Sequence, residues 1–75
     1  MTITSQLNRL VELSKTLDIE KFYTISVMES ELTLQGEYSS GTIEALTNNG
    51  FPIPVIIPAS GYAETNKDNI IITLT

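Results

Sequence analysis

The side chains in this chain that could do chemistry are carboxylates and hydroxyls. There is no His and no Cys. That removes the commonest general base, the usual nucleophilic dyads, and every thiolate or imidazole metal site. A Ser–Lys arrangement has only three lysines to draw on, and each stands near the end of an expected element or in a turn. The acids are more suggestive. Glu29 and Glu31 flank a short turn, and Glu31, Thr33, Gln35 and Glu37 recur at every second position. Two such acids, one kept protonated by burial, are the working pair of many hydrolases. The same face could offer oxygen ligands to a hard divalent cation. Against both readings, carboxylates on the wet face of a strand are normally solvated. The D-x-D-x-D-G calcium pattern is absent, and so small a domain has little wall with which to enclose a substrate. Ser39-Ser40-Gly41 resembles a generic anion seat at a helix start, but it lacks the Gly-rich loop and Lys of a phosphate loop and reads as a capping turn. The expectation is therefore no enzyme, no metal and no cofactor.

Composition narrows the partners. Four basic residues stand against nine acidic ones, a net charge of −5. Phosphate backbones and anionic lipid surfaces both call for Lys and Arg, so neither nucleic acid nor membrane is an expected partner. Phe22, Tyr23 and Tyr38 offer aromatic rings for base stacking, but no basic residue interleaves with them. No basic segment leads into an apolar core in the manner of a signal peptide. No continuous aliphatic run is longer than three residues, as at Val55-Ile56-Ile57, far short of the ~20 residues that span a bilayer. Together with the absence of Cys, this points to a cytoplasmic protein. The 75 residues form one small domain, 1–75. With disulfides and metal unavailable, its thin core depends on efficient packing or on a homodimer.

The elements that position the acids follow from periodicity. Residues 3–17 read as an amphipathic helix, with Ile3, Leu7, Leu10, Val11, Ser14 and Leu17 in one inward stripe and Thr4 or Ser5 as N-cap. Phe22–Met28 is a strand with Tyr23, Ile25 and Val27 on one face. After a turn at Glu29-Ser30, Glu31–Tyr38 alternates as the second strand of a hairpin. A second helix starts at Ser39–Gly41 and ends near Asn48. Gly50 stands at the left-handed position of a Schellman ending, with Leu46 and Phe51 as its apolar pair. Pro52, Pro54 and Pro58 bracket a short edge strand at Val55–Ile57. Tyr62–Thr65, a turn at Asn66–Asn69, and Ile70–Leu74 complete the chain. The fold class is α+β, order α-β-β-α-β-β(-β), a mostly antiparallel sheet with both helices on one face.

What this arrangement is expected to do is bind a protein. After Lys21 the next cation is Lys67, and Glu29, Glu31, Glu37, Glu44 and Glu64 lie between them. Glu29, Glu31, Glu37 and Glu44 are the expected partner-binding residues, steering towards a basic protein surface. An inhibitor or accessory protein of a phage or mobile element, covering a basic site on a host protein, would have this size and charge. Two other readings stand beside it. One is a structural homo-oligomer paired through a strand edge, for which Ile70, Ile71, Ile72 and Thr73 offer a stretch without proline or charge. The other is the acid-pair hydrolase.

Overall fold

The computed structural model describes residues 2–75. Helix α1 spans Ile3–Ser14, and a single 3₁₀ turn, Ile19–Lys21, leads into β1 (Phe22–Val27) and β2 (Leu32–Gly36). Helix α2 (Ser40–Asn48) follows, then β3 (Val55–Ile57), β4 (Tyr62–Lys67) and β5 (Ile70–Leu74). The five strands form one sheet in the order β1-β2-β5-β4-β3. Every pairing is antiparallel except β2 with β5. The fold is the expected α+β arrangement, with α1 and α2 on one face of the sheet.

The core lies between the helices and alternate residues of the strands. Leu32 and Leu34 from β2, Ile70, Ile72 and Leu74 from β5 and Ala63 from β4 meet Leu46 and Leu17 there. Pairing register explains the set: Leu34 lies beside Ile25 and Ile72, and Ile72 beside Thr65, so one parity of every strand faces the helices. The end of α2 is the Schellman motif that the glycine spacing implies. Gly50 has φ +83°, Phe51 N–H donates to Leu46 C=O at 3.1 Å, and Gly50 N–H donates to Thr47 C=O at 3.0 Å. Its start is capped by Ser39, whose Oγ accepts from Thr42 N–H. The β4–β5 turn is tighter than expected. β4 runs on to Lys67, and only Asp68 and Asn69 turn, both at positive φ, as a two-residue hairpin of this hand requires.

Three further expectations are corrected. First, α1 stops at Ser14, and its cap is Thr2 rather than Thr4 or Ser5. Thr2 Oγ1 accepts from Ser5 N–H while Ser5 Oγ accepts from Thr2 N–H, a reciprocal box. The helix is also rotated. Gln6 is fully buried at the centre of the inward face, with Leu10, Leu13 and the following Leu17, whereas Ile3, Leu7 and Val11 are 43, 46 and 57% exposed. The cause is polar. Gln6 Nε2 donates to Glu29 C=O at 3.1 Å, Gln6 Oε1 accepts from Arg9 at 2.8 Å, and Arg9 also donates to Asp68 C=O. These bonds tie α1 to the turns at one end of the sheet.

Second, β1 carries a bulge between Phe22 and Thr24. The extra residue, Tyr23, is thrown outward, and Phe22 joins Ile25 and Val27 on the core side. Phe22 lies against Gly36, where a Cβ would meet its ring at 2.7 Å. Third, β5 is a central strand, paired with β2 on one side and β4 on the other. Ile70, Ile71, Ile72 and Thr73 therefore offer no free edge. The edges are β1 and, as the prolines imply, β3.

Candidate interaction surface

The sheet has one covered face and one bare one. Register places Thr24, Gln35, Thr73, Glu64 and Val55 in a single transverse row across all five strands of the bare face. Ser26, Thr33, Ile71 and Asn66 form the next row. Glu31 and Glu37 extend the face at the two ends of β2. Backbone pairing continues past β2, since Tyr38 N–H donates to Thr75 C=O and Thr75 N–H to Gly36 C=O, so Glu37 keeps its place in the alternation. Tyr62 and Ile57, paired on β4 and β3, add an apolar corner beside Glu64 and Val55.

The expected site is thereby redrawn. Glu31 and Glu37 belong to the bare face together with Thr33 and Gln35. Glu29 is exposed in the β1–β2 turn, and its carbonyl is occupied by Gln6. Glu44 is exposed on α2, in the opposite layer. Glu64, left out of the expected set, lies on the bare face. Its signal was the alternation of Tyr62–Lys67, hidden by placing a turn at Asn66.

Strand geometry sets the spacing of these acids. At ~3.3 Å per residue and ~4.8 Å between strands, Glu31 and Glu37 stand about 20 Å apart, with Glu64 roughly 12–16 Å from each. Acid pairs in glycoside hydrolysis work at about 5–10 Å. No group of three or more acidic side chains is placed to hold a metal ion among the described residues.

The four cations all sit in the helix layer or against it. Lys15 pairs with Glu12 on the exposed side of α1 at 3.0 Å. Lys21 ends the 3₁₀ turn and points to α2 near Gly41. Lys67, paired with Ile70 on the core side, donates to Asn49 C=O at 2.9 Å and lies 5.4 Å from the centroid of the Phe51 ring. Arg9 and Lys67 flank an open groove of about 440 Å³ between α1 and the β4–β5 turn, where Glu12 and Asp68 join them. Both cations there donate to backbone carbonyls, Arg9 to Asp68 and Lys67 to Asn49.

No helix among the described residues is long and apolar enough to cross a membrane. Compared with protein-family models, curated proteins and solved structures, the chain gives no significant match to any of them.

Proposed function

We propose that this chain is a small, non-enzymatic, cytoplasmic protein-binding module that lays its bare sheet face on a basic surface of a partner protein, as an inhibitor covering that surface would. The observation that carries the reading is that the cations keep to the helix layer and leave the bare face with acids alone. Glu31, Glu37 and Glu64 share the bare face, while Arg9, Lys15, Lys21 and Lys67 all belong to the other side. Acids about 12–20 Å apart suit distributed contact with Lys and Arg better than cooperation at one reacting bond. The Thr, Ser and Gln side chains between them supply hydrogen-bonding groups, and Ile71, Tyr62, Ile57 and Val55 supply apolar area, the mixture found at protein interfaces.

Two charge-reversal variants with the same change in net charge test the reading. Glu31→Lys/Glu37→Lys/Glu64→Lys strips the bare face, and Glu12→Lys/Glu20→Lys/Glu44→Lys strips the helix layer. Binding of a lysine-rich peptide, followed by calorimetry at low salt, is expected to weaken at least about tenfold more in the first variant than in the second. Equal losses would mean that net charge alone drives binding, and the assigned face would then be wrong.

A further inference from the structure

The two sheet edges are unequally defended. Ile57 C=O accepts from Ser60 and Gly61 N–H, so the backbone groups of Ile57 turn inward towards the loop and β4. Alternation then turns Pro54, Ile56 and Pro58 outward. Both prolines lack an N–H, and Ile56 alone offers an outward donor between them. The β3 edge is thus blocked against strand addition.

The β1 edge is open. Met28 N–H donates to Glu31 C=O at 3.0 Å, which sets the inward positions of β1 at Met28, Ser26 and Thr24. Leu32 N–H donates to Asn69 C=O on the far side of β2 and agrees with that phase. Ile25 and Val27 therefore turn their N–H and C=O groups away from the sheet. From Phe22 to Met28 there is no proline and no charged residue. The bulge at Tyr23 guards only the start of the strand.

Above this open edge lies the exposed row of α1. Arg9 reaches to the β4–β5 turn from one flank of the helix, and Ile3, Leu7 and Val11 occupy the opposite flank. With α1 fixed over the β1–β2 turn by Gln6, that flank overhangs the side where the sheet ends at β1. An added strand would find backbone partners at Ile25 and Val27 and an apolar roof at Ile3, Leu7 and Val11.

The geometry points to a second copy of this chain as that strand, with β1 paired antiparallel to the partner's β1 about a two-fold axis at Ser26. In this register Ile25 lies opposite Val27 of the other copy, twice, and the pairs exchange about four N–H···O bonds. One patch supplies both halves of the contact, as a two-fold interface requires. Ile25 and Val27 of both copies meet on the core side, and the two α1 rows face each other over the seam. Charge also fits. Lys21 precedes β1, and Glu29 and Glu31 follow it, so antiparallel pairing brings the Lys21 end of each copy to the glutamate end of the other. Two acidic chains thus meet along an uncharged strand with opposite charges at both ends, and the bare face stays open across a doubled sheet.

The test is the solution mass of the full chain at micromolar concentration, measured by sedimentation with hydrogen exchange alongside. A particle of twice the 8.3 kDa chain mass is expected, with the Ile25 and Val27 amides protected although they lie on an edge strand. Ser26→Lys puts like charges directly opposite each other on the axis at a position exposed in the single chain. It is expected to return the mass to one chain and release both amides while the circular dichroism spectrum is kept. Val11→Lys should do the same from the helix, and Ile56→Lys on β3 should leave the dimer intact. A single-chain mass for the parent protein overturns the inference, as does a dimer that survives Ser26→Lys and is lost with Ile56→Lys. A single-chain parent that instead captures an extended apolar peptide along β1 assigns the edge to a foreign strand and overturns self-pairing.

Discussion

At the scale of single residues, the fold turns on a few positions where a small side chain or a polar one is required. Gly36 is the strictest. An added Cβ would press the Phe22 ring at 2.7 Å and the Lys21 carbonyl at 3.2 Å. Gly36→Ala should cost about 1–3 kcal/mol through overpacking. At Gly50, with φ +83°, the left-handed backbone itself opposes a side chain, and Gly50→Ala should cost roughly 1–2 kcal/mol. Urea denaturation of both variants checks the pair, and a neutral Gly36→Ala would contradict the Phe22 contact. Gln6 is the less obvious case. It is a fully buried polar residue whose amide holds both the Glu29 carbonyl and Arg9. Gln6→Ala should destabilise by about 1–3 kcal/mol, because the carbonyl it satisfies stays partly buried without a partner. A midpoint unchanged from the parent would mean that α1 is oriented by its leucines alone.

At the scale of elements, what the sequence disclosed follows the reach of each interaction. Local signals were readable. The alternation of Leu32, Leu34 and Gly36, the serine cap of α2, and the Leu46–Gly50–Phe51 ending all lie within a few residues of one another. The rotation of α1 was not readable, because it rests on bonds from Gln6 and Arg9 to turns 23 and 59 residues away. Apolar periodicity alone placed Ile3, Leu7 and Val11 inward and gave Gln6 no place in the inward stripe. Likewise, the bulge that turns Phe22 inward becomes visible only when Gly36 lies opposite it. The central place of β5 depends on a parallel pairing with β2 across the whole of α2, β3 and β4. The cap of α1 makes a sharp test at this scale. Thr2→Ala breaks the reciprocal bonds with Ser5 and should cost about 1 kcal/mol. Thr4→Ala, on the exposed side of the first turn, should stay within about 0.5 kcal/mol of the parent. Thermal melts that ranked the two the other way would return the cap to Thr4.

At the scale of the whole molecule, the decisive property is that the two sides of one sheet differ in kind. One side carries both helices, the core and the four cations. The other carries Glu31, Glu37 and Glu64 among small polar residues, with an apolar corner at Tyr62 and Ile57. The candidate site was only half legible in the sequence. Glu31 and Glu37 share a strand and were found by alternation, whereas Glu64 joins them, and Glu44 leaves them, only through the layering of the fold. The most direct measurement of the central claim is a titration of the methyl-labelled protein with a lysine-rich peptide, followed by nuclear magnetic resonance. Shifts are expected at Thr33, Thr73, Ile71 and Val55 on the bare face, with little change at Leu7, Val11 and Ile43 in the helix layer and loss of the effect as salt rises. Shifts confined to the helix layer, or shifts on the bare face that high salt leaves unchanged, would contradict the claim.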